Sequence, residues 1–331
     1  MRWKHKMMRA PLYPLRFEPI YQYRVWGGQR LAEFLTTPLP DGPVGEAWLL
    51  SDRDDHASEV ADGPLKGLTI RQLLEQSSDQ MLGRLAGRFS RFPVLLKFLD
   101  AKEKLSVQVH PNDEQKDYIP AGESGKTEAW VVLEAGPESR IYAGLKPGTT
   151  RDDLERALAS QNVPGLLASF TPKTGDAVLI RAGTVHSLRD VVVFEVQENS
   201  DVTFRLYDWD RIDPKTGEPR PLQVDQAVAC TDFQQVAIGA LISQEPAAPR
   251  LLLCHCDHFT VWRHERDLPF TVGATDTPRV LVCITGDGEL EHRGKNYPIG
   301  RGDVMLLPAE IGACSFRPRD TVRLLEVALP E

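Results

Sequence analysis

Glycine and proline break this chain into short pieces. Each occurs 25 times in 331 residues, and the apolar runs between them have the length of β-strands. Proline removes a backbone donor, and glycine admits the tight turns that antiparallel strands need. Candidate strands fall at residues 21–25, 47–50, 93–100, 105–110, 127–134, 140–144, 177–180, 191–198 and 203–208. Helical signals are few. Leu68, Ile70, Leu73, Leu74, Leu82 and Leu85 mark residues 67–85 as one helix or two short ones. Thr150 stands at capping-box spacing from Asp153, ahead of a helix over 154–160. Asn112 or Asp113 caps a turn before Tyr118. Long amphipathic helices do not alternate with the strands. That excludes a doubly wound parallel sheet and predicts an all-β chain of antiparallel, barrel-like or sandwich-like sheets.

The sharpest change in composition is Asp-Pro-Lys-Thr-Gly-Glu-Pro-Arg at 213–220, which reads as a loop or domain connector. Further candidate strands follow at 235–241, 251–255, 260–264, 279–285, 288–292, 302–307, 313–317 and 321–329. Their density predicts a second, smaller barrel-like unit, which divides the chain into 1–225 and 226–331. A faint echo links the two. Gly175-Asp176 precedes the apolar run 177–180, and Gly302-Asp303 precedes another apolar run at 304–307. Only the first copy leads on to a histidine, His186, so the expectation is two similar units with chemistry in one.

Lysine and arginine total 39 against 47 acidic residues, a formal charge of −8. This gives no support to a general nucleic-acid binder, although a local basic pocket for a phosphorylated metabolite stays open. No apolar run approaches the roughly 20 residues that span a bilayer. The basic start, residues 1–15, is broken by Pro11 and Pro14 and has no signal-peptide core. A cytoplasmic protein without membrane contact is expected. The five cysteines all lie in the last third and are read as mostly reduced thiols. Cys254-His255-Cys256, with His258 nearby, invites a metal reading. One intervening residue is tighter than structural zinc sites use, and no second cysteine pair follows, so a partly buried strand with incidental thiols is expected.

Chemistry concentrates in polar residues set inside apolar strands. Along Leu105-Ser106-Val107-Gln108-Val109-His110-Pro111, Ser106, Gln108 and His110 share one face and the valines the other. Valines packed outward would point Gln108 and His110 inward. Lys126, Glu128 and Trp130 form a second such face, and Val131-Val132-Leu133 places Glu128 in packed surroundings. A carboxylate there needs a metal, a charge partner or several donors. His186 follows the 177–180 strand across a glycine turn. Gln108, His110, Glu128 and His186 together offer nitrogen and oxygen donors for one borderline divalent ion. Glu195 and Gln197 share a face of the apolar 191–198 run, Thr203, Arg205 and Tyr207 share another, and Lys97 stands between Leu96 and Phe98. Taken singly, each is also what a structural ion pair or the polar side of an edge strand looks like.

The same residues carry a family resemblance. Val25-Trp26-Gly27-Gly28, Gly45-Glu46-Ala47-Trp48, the stretch 93–113, Gly125-Lys126-Thr127-Glu128, Ala182-Gly183-Thr184-Val185-His186 and Gln197-Glu198-Asn199-Ser200-Asp201, on through Tyr207-Asp208-Trp209-Asp210-Arg211, stand in order. In this the chain resembles the type I mannose-6-phosphate isomerases of the short bacterial class, zinc-dependent members of the cupin superfamily. The resemblance covers most of residues 20–211 and is much less distinct beyond.

It implies two cupin-like β-barrel or jelly-roll domains, with short helical insertions in the N-terminal part. It implies one Zn2+ per chain held by Gln108, His110, Glu128 and His186, with Arg205 and Lys126 in catalytic positions. Glu195 is a second candidate for moving protons if its carboxylate reaches the cavity. Lys97, Arg205 and Arg181 are candidate substrate contacts. Arg181 stands where the family often has proline and Ser187 where it has alanine, which bears on the rim of the pocket. The implied reaction interconverts mannose 6-phosphate and fructose 6-phosphate through a cis-enediol. A noncatalytic sugar-phosphate binder and a redox-metal oxygenase are the alternatives. The glycine loops match no nucleotide-phosphate motif, so ATP and NAD are not implied. A phosphorylated hexose is the expected partner, and a monomer, or else a weak homodimer, the expected state.

Overall fold

The computed structural model describes residues 11–235, 237–241 and 248–330; most of the basic start at 1–15 lies outside them. Nine strands between Ile20 and Tyr207 form one curled antiparallel sheet. Across its centre run Val44–Leu50, Val94–Ala101, His186–Glu198, Glu128–Leu145 and Ala177–Ile180, each hydrogen-bonded to the next. The first residue of His186–Glu198 also meets Val107–Val109, which pairs on with Phe204–Tyr207. The two strands expected at 127–134 and 140–144 are one strand of 18 residues. Gly136-Pro137 does not end it. The register against its partner slips there and pairing resumes beyond, and such irregularities bend and twist a strand, which curls the sheet.

The helices follow their local signals. Thr69 and Gln72 form a capping box at the start of Ile70–Leu82, and the backbone breaks at Ser77 before a short 3-10 turn, Gly83–Leu85. Thr150 and Asp153 cap Arg151–Ala159 as their spacing predicts. Leu167–Phe170 and the helix Val224–Cys230 were not expected. Among the described residues of the expected strand at 235–241 there is no strand. Ile238 and Leu241 instead donate singly to Ala143 and Ala177.

Beyond this segment the strands Arg250–His255, Thr260–Arg266, Val322–Ala328, Arg279–Thr285 and Val304–Leu307 form a second sheet. Phe270–Val272, Cys314–Pro318, Asp287–His292 and Lys295–Gly300 form a third. The five-stranded sheet repeats the centre of the first in order and direction. The Gly-Asp echo is the same turn in both places. Lys173 N donates to Asp176 Oδ2 at 2.8 Å, and Gly300 N donates to Asp303 Oδ2 at 2.8 Å. Gly175 and Gly302 take φ of 93° and 85°, which glycine adopts without strain, and their N–H groups donate to Val132 and Cys283, both at 2.8 Å. Even the bulge after Trp48 recurs after Leu252.

The back faces of the two sheets share one core. Leu96, Phe98, Val131, Phe194 and Val196 from the first meet Val261, Val280, Leu325 and Val327 from the second in a single buried cluster. Leu15 and Leu306 exchange backbone hydrogen bonds at 2.8 Å, so the segment before the first strand is stitched to the second sheet. The front faces point away from this core. The first carries Trp26, Leu99, Trp130 and Val193 with a polar cluster, whereas the second is lined largely by residues such as Leu281, Cys283, Met305 and Leu324. The five cysteines are buried free thiols. Cys254 lies in a strand, its thiol pushed up to about 12 by burial, and His255 turns outward to Thr260.

A core shared by both sheets predicts one cooperative unfolding transition for the whole chain. Leu306→Ala, at a fully buried position, is expected to cost about 2–5 kcal/mol of stability. Denaturant titration followed by tryptophan fluorescence and far-UV circular dichroism tests both points. Two separated transitions in the wild type would contradict the shared core.

Candidate metal centre and substrate cavity

Strand register assembles the site. Arg205, Gln108 and His186 lie side by side across three strands. Val107 and Val109 are buried in a cluster on the other face, so alternation turns Gln108 inward. Glu128 begins the long strand opposite Gln197 and Ile180. Lys126 precedes it after a tight approach. A Cβ on Gly125 would stand 2.8 Å from Asp113 N and 2.9 Å from Asn112 C, so only glycine fits there.

The Nε2 atoms of His110 and His186 stand 3.4 Å from Oε2 and Oε1 of Glu128. Each ring bonds a backbone carbonyl through its other nitrogen: His110 Nδ1 to Val202 O at 2.8 Å, His186 Nδ1 to Thr184 O at 2.9 Å. A carbonyl can only accept, so Nδ1 carries the proton and the Nε2 lone pairs face the carboxylate. The Gln108 amide is 3.1 Å from His186 Nε2. Lys126 Nζ lies 2.5 Å from Glu128 Oε2 and 3.1 Å from His110 Nε2.

Burial alone would raise the Glu128 carboxyl, but the Lys126 ammonium holds it well below its usual range. Burial, then the charge of Lys126, pushes His110 down to about 3, and burial lowers His186. Three unprotonated donors converge, and the cation that meets them is an ammonium. That donor set suits a divalent ion of borderline softness.

Gln108 and Lys126 bring the cluster to the wall of a cavity of about 410 Å³, large enough for a metabolite, with His110, Glu128 and His186 behind them and not among its lining residues. Gln108, Lys126 and Arg205 line one side and Lys97, Glu46 and Arg24 the other. Lys97 is buried between two carboxylates, 3.0 Å from Glu195 and 3.6 Å from Glu46. Trp130 Nε1 donates to Glu195 at 2.8 Å, and Trp48 Nε1 to Glu46 at 2.7 Å. Burial would lower the Lys97 pKa, but the two carboxylates raise it. Burial would raise Glu46, but Arg24 and Lys97 hold it well below the carboxylate range. Burial, then the Glu128 charge, pushes Glu195 up.

Arg205 is half-buried, and its Nε has no hydrogen-bond partner. Burial, then the charge of Arg220, lowers its pKa, and a guanidinium remains charged regardless. Arg220 also lines the cavity and binds Asp208 through two bonds at 2.8 and 2.6 Å.

Of the residues singled out in the sequence, the structure brings Gln108, His110, Glu128, His186 and Lys126 into one cluster. Lys97 and Arg205 join it on the cavity wall. Glu195 stands behind Lys97 and is not among the lining residues. Arg181 does not meet the site. Ile180 shares the inward face with Glu128, so the next residue turns to the opposite side, where Arg181 is exposed.

The 213–220 loop is no mere connector, since Asp213 and Arg220 at its ends line the cavity. Arg24, Glu46 and Arg220 were missed as site residues. Glu46 had the signal that revealed Lys97, a charge within a wholly buried strand. Arg220 had none, because its loop has the composition of a linker.

No helix among the described residues is long and apolar enough to cross a membrane. The family model for the catalytic domain of type I phosphomannose isomerase matches residues 15–128. Mannose-6-phosphate isomerase ManA of Bacillus subtilis is 33% identical over 302 residues, 90% of this chain and 94% of its own. A Streptococcus mutans mannose-6-phosphate isomerase is 29% identical over 310 residues, covering 92% and 95%. The crystal structure of the Bacillus subtilis mannose 6-phosphate isomerase superposes with a TM-score of 0.86 at 30% identity, over 96% of this chain and 99% of the other. A variant phosphomannose isomerase from Salmonella typhimurium shares the fold at a TM-score of 0.77 and 18% identity, over 96% and 100%. One-third identity to ManA along nine-tenths of the sequence, carried through to the fold, shows that the chain belongs to the type I mannose-6-phosphate isomerase family.

Proposed function

We propose that this protein is an aldose-ketose isomerase that interconverts mannose 6-phosphate and fructose 6-phosphate with one zinc ion per chain. The observation that carries this reading is the convergence of two imidazole Nε2 atoms and a carboxylate directly behind Lys126, which with Gln108 and Arg205 lines one polar cavity. His110, Glu128 and His186 would hold the ion, with Gln108 as fourth donor. Once bound, it supplies a Lewis acid for the sugar oxygens at C1 and C2.

The remaining work belongs to the chain's own side chains. Lys126 gives up its contacts with the triad and one proton to solvent, and the neutral amine then takes the proton from C2 and returns it at C1. Arg205, whose Nε is unpartnered, offers a fixed positive charge to the enediolate oxygen. Lys97 is held by Glu46 and Glu195 and presents an ammonium to the sugar hydroxyls, which makes Glu195 a positioning group. Arg24 and Arg220 also line the cavity and supply the phosphate contacts. A whole cavity lined by one chain suits a monomer, and buried free thiols suit the cytoplasm. The division at 225/226 belongs to the same reading, supported by the two separate front faces and qualified by Leu15, which crosses to the second sheet.

Chelation is expected to abolish conversion of mannose 6-phosphate, and zinc to restore it. His110→Ala and His186→Ala should each lose bound metal, by elemental analysis, together with turnover. Full metal content and rate in either variant would remove that ligand from the reading. Lys126→Ala is expected to lower kcat by about 10²–10⁴-fold, with a parallel loss of solvent-deuterium incorporation at C2 of the sugar. Exchange that persists at the wild-type rate would assign the proton to another group. Arg181→Ala, by contrast, should leave kcat/KM for mannose 6-phosphate unchanged in steady-state measurements of its conversion.

A further inference from the structure

The second sheet has a front-face cavity of its own, about 570 Å³, and strand register states which residues stand where the first sheet keeps its chemistry. Lys97 pairs with Trp48 and Glu195, and Trp262 pairs with Leu252 and Glu326. Glu46 lies opposite Leu99, and Arg250 opposite His264. Glu128 lies between Gln197 and Ile180, and Arg279 lies between Ala328 and Leu307. So the metal-binding carboxylate is replaced by Arg279, Glu46 by Arg250 and Lys97 by Trp262, while Glu195 persists as Glu326.

These exchanges invert the site. A guanidinium in the place of Glu128 repels a cation. Arg279 is held in place by Thr277 Oγ1 and Pro278 O, both at 2.9 Å. Arg250 and Arg279 lie 4.6 and 6.0 Å from the centre of the Trp262 ring. Glu326, the persisting acid, is already engaged by His264 at 2.8 Å and Gly273 N at 2.9 Å, and stands 3.8 to 3.9 Å from the two guanidinium groups. Two arginines therefore face the cavity beside an indole. They suit a phosphate monoester, and the indole suits the apolar face of a sugar ring. Asp257 and Thr260 also line the cavity. A carboxylate at that rim repels bare phosphate but accepts hydrogen bonds from sugar hydroxyls.

We propose that the C-terminal sheet carries a second, metal-independent site that binds a cyclic sugar phosphate through Arg250, Arg279 and Trp262 without converting it. The choice of a sugar phosphate rests on the reading of the first cavity as a sugar-phosphate site.

The test titrates the full-length, zinc-loaded protein calorimetrically with 1,5-anhydromannitol 6-phosphate, which lacks the anomeric hydroxyl and can neither open nor isomerise. Two sites per chain are expected. Arg250→Glu, a change at a strand end with its side chain half exposed, should weaken one of them roughly ten- to a hundredfold, and Arg205→Ala should weaken the other. Trp262→Phe provides a second readout, because it should remove the fluorescence change linked to the site that Arg250 controls. A single site lost in Arg205→Ala and intact in Arg250→Glu overturns the proposal. A single site with the opposite pattern upholds it and counts instead against the reading of the first cavity. Inorganic phosphate binding the Arg250 site as tightly as the sugar phosphate would overturn the assignment of ligand class.

Discussion

A carboxylate buried among three nitrogen groups organises the front of this molecule. Glu128 is almost wholly enclosed, and an isolated charge there would be severely destabilising. One of its oxygens is met by the Lys126 ammonium, and both imidazoles turn their Nε2 lone pairs toward it at 3.4 Å, locked from behind by carbonyls. Every member of the cluster therefore constrains another. Lys97 follows the same rule one row away, where two carboxylates share one ammonium and each also accepts from an indole N–H. Removing one partner from such a network strands a buried charge, and this costs far more than the net worth of the intact pair. The geometry needed for chemistry is thus also the geometry in which the charges can be tolerated.

The sheet that holds this cluster is built twice, and the two copies use their faces differently. Back faces of valine, leucine and phenylalanine merge into one core, which the bulk of each sheet requires and which leaves each front face to vary. In the first, polar side chains replace apolar ones at matching rows. In the second, most of the front is filled by residues such as Leu281, Met305 and Leu324, and polarity survives at its edge. Substitution at a few inward positions separates a histidine–glutamate cluster from an arginine-lined pocket without altering the ladder.

Local rules made much of this legible in the sequence. Alternation along 105–110 identified Gln108 and His110, and the capping box before 151 and the Gly-Asp turns behave as their residues dictate. Alternation also explains the failure at Arg181, which lies one residue past a strand and so turns away from the face that Ile180 shares with Glu128. Gly136-Pro137 suggested a strand break because local composition does not show that both neighbours continue to pair across it. Lys295–Gly300 was missed because it is mostly exposed and contains Pro298. Arg24 and Arg220 were invisible as site residues for a different reason. Their place in the cavity depends on strand pairing and loop closure, not on any pattern near them in sequence.

The second half of the chain also acts on the first directly. Glu198 ends the strand that carries Glu195, and its Oε2 accepts a hydrogen bond of 2.6 Å from the N–H of Thr127. Thr127 is the residue between Lys126 and Glu128. The other oxygen of Glu198 is 3.2 Å from His258 Nδ1, in the turn between two strands of the second sheet. A contact from the far half thus fixes the backbone between the two residues on which the cluster turns. Most of the cavity's inward side chains sit on strands, whose positions the ladders determine, but Lys126 comes from a loop and needs another restraint. The Thr127–Glu198–His258 chain provides it, which makes the second half part of the support of the first site and not only its neighbour.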